Sequence, residues 1–171
     1  MVFNLRQGKL AEIDKAFFLL KSASETLEKK NIKQWNYWKN PPKEKIEWVK
    51  GGFLNSEFFF IENSTQEIMG MVRVLEEDLI YWGKMNDKSK YIHSLIIFEK
   101  FSGKKIGNNV IKTIETEAKN NKHDYLRLDC DSTNKKLCEY YENQGFTLVG
   151  RKKLSLSTYN LYQKKIDLIS K

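Results

Sequence analysis

The sequence predicts a single mixed α/β domain (α+β) spanning residues 1–171, and three patterns support this. From Lys9 to about Lys30, Leu10, Ile13, Phe17, Leu20, Ala23 and Leu27 recur every three or four residues, the spacing of a long amphipathic helix. Glu57–Glu62 (EFFFIE) and Glu67–Leu75 (EIMGMVRVL) flank the polar turn Asn63-Ser64-Thr65-Gln66, the pattern of paired antiparallel strands. Tyr91–Ala118 moves from the apolar run Leu95-Ile96-Ile97-Phe98 through a polar turn containing Gly103 into a helix with Ile106, Val110, Ile111, Ile114 and Ala118 on one face. At 171 residues the chain suits one domain with a sizeable core.

The remaining elements follow in order. Phe3–Arg6 alternates as a first strand, ahead of the Lys9–Lys30 helix. The aromatic, polar stretch Asn31–Asn40 ends at Pro41-Pro42, which breaks the chain. A second helix is expected from about Pro42 to Lys50, with Ile46 and Val49 inward and Gly51-Gly52 as its stop. After the hairpin comes an irregular segment, Glu76–Lys90, carrying Tyr81-Trp82. His123–Asp131 alternates as a strand with either Tyr125 or the Leu126, Leu128 and Cys130 set inward. Asn134–Gln144 is helical with Gly145 as its stop, and Phe146–Gly150 and Ser157–Ile166 close the chain as strands.

Composition narrows the function classes. Aromatic content of 13% and charged content of 30% describe a folded, soluble chain. No apolar run approaches the roughly 20 residues that span a bilayer. The N-terminus lacks a signal peptide's apolar core, so no membrane role and a cytoplasmic location are expected. Cys130 and Cys138 form no CxxC pair, and His93 and His123 lie far apart, so no metal is expected. The net charge of +8 raises a nucleic-acid reading, but only Arg6, Arg73, Arg127 and Arg151 are arginines, and the other 26 of the 30 basic residues are lysines. These are dispersed in pairs along the chain, so no nucleic-acid partner is expected and the charge reads as a solvated surface that attracts an anionic cofactor.

A strand that turns through glycine into a helix aims unpaired amides and the positive helix end at one point, which suits a phosphate group. The loop is Ser102-Gly103-Lys104-Lys105-Ile106-Gly107, and downstream lies Asn134-Lys-Lys-Leu137-Cys-Glu-Tyr140-Tyr141-Glu-Asn-Gln-Gly145-Phe146. Together these resemble the GNAT acyl-CoA-dependent N-acetyltransferases, whose loop reads Arg/Gln-x-x-Gly-x-Gly/Ala and whose later helix reads Asn-x-x-Ala/Leu-x-x-x-Tyr-x-x-x-Gly-Phe. The resemblance spans about Phe3 to Ile166. Ser102 stands where the family has Arg/Gln, and Lys105 stands where it has glycine. Lys105 is tolerable there with helical dihedrals and costly if the backbone requires positive φ.

The resemblance implies a GNAT-type fold: a central, mostly antiparallel mixed sheet of about seven strands with about four helices. It further implies that the sheet splits into a V at the strands around Ile92–Phe98 and Tyr125–Cys130, where acetyl-CoA would lie. Cofactor contacts would come from Leu95, Ile96 and Ile97, from Ser102, Gly103, Lys104, Lys105, Ile106, Gly107 and Asn108, and from Asn134 and Tyr141. A phenol of pKa about 10 can give its proton to the leaving thiolate, and the motif assigns that role to Tyr141, with Tyr140 its competitor. Asn134 can bond the pantetheine arm or serve only as a helix cap. For the base, His93 is the first candidate and Glu76 or Glu77 the alternatives. Gln34, Trp35, Tyr81 and Trp82, with Tyr37 and Trp38, are candidates to line an acceptor pocket, because aromatic walls suit a cationic amine.

The expected activity is therefore direct transfer of acetyl from acetyl-CoA to a primary amine of a small molecule. The alternatives are a protein or peptide N-terminus as acceptor, or a non-catalytic acyl-CoA-binding module. Exposed strand edges near the C-terminus make a homodimer a reasonable expectation.

Overall fold

The computed structural model describes residues 2–167. Its strands are β1 (Phe3–Gln7), β2 (Phe58–Asn63), β3 (Ile68–Leu75), β4 (Ser89–Ile97), β5 (Tyr125–Asp131), β6 (Thr147–Lys153) and β7 (Thr158–Lys165). Its α-helices are α1 (Ile13–Lys29), α2 (Lys43–Leu54), α3 (Ile106–Asn120) and α4 (Lys135–Glu142). The strands make one mixed sheet in the order β1-β2-β3-β4-β5-β7-β6. β1–β2, β2–β3, β5–β7 and β6–β7 are antiparallel. β4 and β5 run parallel, Ser89 opposite Tyr125 through Ile92 opposite Leu128, with α3 as the crossover that a parallel pair requires. The expected element order and the seven-stranded α/β sheet are both present.

The chain forms two compact units, residues 1–74 with 94–107, and residues 75–93 with 108–171. In the first, the apolar stripe of α1 (Ala16, Leu19, Leu20) packs with Trp38, Val49, Phe53, Phe58, Phe60, Met71 and Ile96. Phe53 stacks on Phe58 with ring centroids 4.7 Å apart. In the second, Val110, Ile111, Ile114 and Ala118 of α3 are buried, as are Leu126, Leu128 and Cys130 of β5. This settles the inward set on β5. Yet Arg127, on the other face of the strand, is buried as well, at 2% exposure.

One expected boundary is wrong. Gly51-Gly52 does not end α2, which continues to Leu54 and stops at Asn55 and the left-handed Ser56 (φ 62°). The glycine at 52 serves packing. A Cβ there would lie 2.6 Å from the Phe58 ring and 2.7 Å from the Arg73 guanidinium, which Glu57 holds at 2.6 Å. Gly51, one residue earlier, has open space where its Cβ would be. Gly70 on β3 is needed for the same reason, because a Cβ would fall 1.9 Å from the Ile96 carbonyl oxygen.

Two adjacent substitutions should therefore act in opposite directions. Gly51→Ala should stabilise by about 0.5–1 kcal/mol, the ordinary glycine-to-alanine gain inside a helix. Gly52→Ala should destabilise by about 1–3 kcal/mol through overpacking. Urea unfolding of both variants checks the pair, and equal effects would discount the packing account.

Candidate active site

The cofactor-site candidates divide between the two units. In the first, Ile96 is part of the core, Leu95 and Ile97 are half-buried, and Phe98 N–H donates to the Met69 carbonyl at 2.9 Å. After a short 3-10 turn (Glu99–Phe101), Ser102, Gly103, Lys104 and Lys105 are all exposed, and α3 begins at Ile106. Gly103 has φ 77° and Lys105 has φ 57°. Left-handed residues at a helix start turn successive amides toward one side, the shape of an anion nest. The loop therefore fits a pyrophosphate.

The condition set for Lys105 is resolved in the costly sense, since its backbone is left-handed and not helical. A lysine at a position suited to glycine stores strain of roughly 1–2 kcal/mol. The neighbouring Lys104 lies over the Phe101 ring at 5.4 Å.

In the second unit, Asn134 caps α4, its Oδ1 accepting from Leu137 N–H at 3.2 Å. Gly145, with φ 85°, ends the helix in the left-handed conformation that glycine adopts freely. The two tyrosines of α4 differ sharply. Tyr140 donates its hydroxyl to Asn108 Oδ1 at 3.2 Å. Tyr141 is 7% exposed, packs near Phe146 and Tyr162, and has no hydrogen-bond partner for its hydroxyl among the described residues. Burial first, then the nearby Cys130, Tyr140 and Asp129, pushes the Tyr141 phenol above its ordinary value. It therefore stays protonated at neutral pH, as a proton donor must. Cys130 and Cys138 are buried with sulfurs 3.6 Å apart, and burial likewise raises the Cys130 thiol, which leaves it unreactive.

The base candidates are more constrained than their sequence positions suggest. Glu76 is engaged at both oxygens, by Lys90 Nζ at 2.7 Å and by His123 Nε2 at 2.7 Å, and Glu77 is exposed. His93 is buried, with Nε2 2.8 Å from Asp78 Oδ2 and Nδ1 3.2 Å from Asp129 Oδ1. Burial pushes the Asp78 carboxyl up, but the hydrogen bond and charge of His93 and the amides of Tyr81 and Ile80 outweigh it and hold it below the usual carboxylate range. Donor atoms of Asp78, His93 and Asp129 lie within 4.8 Å of one another. The two ring nitrogens face different carboxylates: Nε2 hydrogen-bonds with Asp78 Oδ2, and Nδ1 lies 3.2 Å from Asp129 Oδ1. Sequence reasoning missed both aspartates. Asp78 sits in the acidic run Glu76-Glu77-Asp78, and Asp129 alternates onto the face of β5 opposite Leu126, Leu128 and Cys130.

The acceptor candidates also divide. Gln34 is buried in the first unit, and Trp35, left-handed at φ 68°, packs against the core there, as does Tyr37. Trp38 belongs to that core. In the second unit Tyr81 packs on the His93 ring and edge-on to Tyr159, both at 5.1 Å. Trp82 lies 4.9 Å from the Arg127 guanidinium, which Tyr125 and Tyr91 also flank and which Asp87 grips at 2.6 and 2.8 Å. The cation in that aromatic box is the chain's own arginine.

A model of the acetyltransferase (GNAT) family matches residues 20–146. The chain belongs to this family. No curated protein sequence matches it. Among solved structures it is similar to a GNAT-family acetyltransferase from Listeria monocytogenes 4b F2365, at 22% identity over 95% of this chain and 94% of that one, TM-score 0.76. It is also similar to a chimera of spermidine N-acetyltransferase SpeG from Vibrio cholerae and hSSAT, at 14% identity over 95% and 94%, TM-score 0.66. A third is RimL, a ribosomal L7/L12 α-N-protein acetyltransferase in complex with coenzyme A, at 17% identity over 98% and 96%, TM-score 0.69. At these identities the likeness is one of fold. No helix among the described residues is long and apolar enough to cross a membrane.

The left-handed backbone at Lys105 makes a direct prediction. Lys105→Val should destabilise by about 1–3 kcal/mol, because a β-branched residue tolerates positive φ poorly, while Lys105→Gly should leave stability equal or higher. Urea midpoints of the two variants against wild type decide it, and a well-tolerated valine would contradict the strain.

Proposed function

We propose that this acyltransferase moves the acetyl group of acetyl-CoA to a primary amine of a small molecule, by direct attack of the amine on the thioester. The observation that carries the proposal is that Tyr141, a buried residue at the family's tyrosine position, has no hydrogen-bond partner for its hydroxyl among the described residues, beside a Tyr140 whose own hydroxyl is engaged. Direct attack needs a neutral amine, an oxyanion partner and a proton for the departing thiolate. Tyr141 supplies the last of these. The exposed amides of the Ser102–Lys105 turn and the start of α3 would hold the pyrophosphate, and the backbone of Leu95–Ile97 the pantetheine arm. Asn108 and Asn134 would lend side-chain amides.

A cationic acceptor suits the buried carboxylates of Asp78 and Asp129 beside Tyr81, and a spermidine acetyltransferase chimera shares the fold. RimL, of the same fold, keeps a protein N-terminus as the second reading.

Acetyl-CoA should raise the melting temperature and be competed by CoA. A thiol-release assay over a panel of polyamines, amino acids, aminoglycosides and N-terminal peptides should then show turnover. Tyr141→Phe should lower kcat by roughly 10²–10⁴-fold with the acetyl-CoA melting shift preserved. No melting shift at saturating acetyl-CoA would remove the cofactor, and an unchanged kcat would remove Tyr141 from its role.

A further inference from the structure

Ile106, Gly107 and Asn108 open α3, and their backbone N–H groups are among the first four of the helix, which have no intrahelical carbonyl partner. Side chains on a helix lean toward its N-terminus, so the half-buried Asn108 side chain leans toward that same end. An asparagine there can help or hinder an anion. Its Nδ2 group is a donor and suits a phosphate, whereas Oδ1 is an acceptor and opposes one. Rotation about the last side-chain bond exchanges the two, since that torsion is broad and roughly two-fold.

One contact removes the ambiguity. The Tyr140 hydroxyl donates to Asn108 Oδ1 at 3.2 Å, which ties α4 to the first turn of α3. With the oxygen engaged, the amide plane turns Nδ2 to the other side of Cγ, away from Tyr140. Burial pushes the Tyr140 phenol up, so it keeps its proton at neutral pH and stays a donor. Its ring is held in turn, edge-on to that of Tyr141 with centroids 5.3 Å apart. The hydroxyl is therefore placed by packing as well as by its hydrogen bond.

We propose that Tyr140 is a positioning residue for the cofactor: it fixes the Asn108 amide so that Nδ2, with the first amides of α3, donates to the pyrophosphate of CoA. This rests on the acetyl-CoA reading above. Tyr140 touches no reacting atom and transfers no proton. It settles in the free protein an orientation that the ligand would otherwise have to select, which raises affinity by preorganisation. The adjacent tyrosines of α4 then have separate tasks, Tyr141 at the thioester and Tyr140 at the phosphate end of the same ligand.

Calorimetry with CoA tests this without any acceptor. Tyr140→Phe keeps the ring and loses the hydroxyl, and should weaken CoA binding about three- to tenfold, the yield of one neutral hydrogen bond. In turnover it should raise the acetyl-CoA KM and leave kcat unchanged, the signature of lost uniform binding. Asn108→Ala should weaken CoA about 10–100-fold, the range for a hydrogen bond to a charged group. In that background Tyr140→Phe should have no further effect, because the group it positions is gone. Asn108→Asp still offers Tyr140 an acceptor but puts a carboxylate oxygen in place of Nδ2, and should bind CoA no better than Asn108→Ala. Dephospho-CoA, which keeps the pyrophosphate and lacks the ribose phosphate, should show the same loss factors as CoA.

A Tyr140 that served only the fold would lower the melting temperature and leave CoA affinity as in wild type, which would overturn the proposal. So would a Tyr140→Phe effect that persists in full without Asn108, or loss factors that vanish with dephospho-CoA. Should Asn108→Ala not fold, Tyr140→Phe and the isosteric Asn108→Asp still decide it. Wild-type protein that fails to bind CoA removes the acetyl-CoA reading and this inference with it. Wild-type binding alongside an unaffected Tyr140→Phe removes the inference alone.

Discussion

Charge buried on one face of β4 and β5 constrains the second unit more than any other feature. Asp78, His93 and Arg127 are each less than a tenth exposed. A lone buried charge costs several kcal/mol, so each must sit in a compensated pair or chain. Arg127 is closed by Asp87, Gln163 and Tyr91 through hydrogen bonds and by Trp82 and Tyr125 through their ring faces. His93 is closed by Asp78 and Asp129. The irregular segment between β3 and β4 delivers Asp78 and Tyr81 to His93, and Trp82 and Asp87 to Arg127. What would otherwise be an exposed sheet face becomes a covered, polar interior.

The opposite face of β5 is arranged by ordinary packing. Leu126, Leu128 and Cys130 are buried there, Cys138 of α4 touches Cys130, and Tyr141 lies near Phe146 and Tyr162. The burial that raises the Cys130 thiol also raises the Tyr141 phenol, which keeps it protonated. The Ser102–Lys105 turn follows a third logic, in which backbone shape matters more than side chains. Gly103 turns left-handed without strain, and Lys105 does so at a cost.

Much of this was legible in the residues. The helices of the first and third apolar stripes, the β2–β3 hairpin, the cap at Asn134 and the stop at Gly145 all depend on local spacing and turn chemistry, which sequence carries directly. Gly51-Gly52 misled, because a glycine needed for the close approach of Phe58 and Arg73 looks the same in sequence as one that ends a helix. Trp82 misled in another way. Its aromatic ring was expected to face a cationic ligand, and the cation it faces is Arg127.

The sequence by itself determined the fold, the family and which tyrosine holds the motif position. Each of these is a matter of periodicity or short-range spacing, recorded along the chain. Only the tertiary structure decided that Lys105 is left-handed, that Tyr140 is engaged while Tyr141 is not, and that His93 stands between two aspartates. Asp78 lies 15 residues before His93 on an irregular segment, and Asp129 lies on another strand. Nothing local marks them as partners, because the energy that joins them, the cost of burying an uncompensated charge, arises only once the chain has folded.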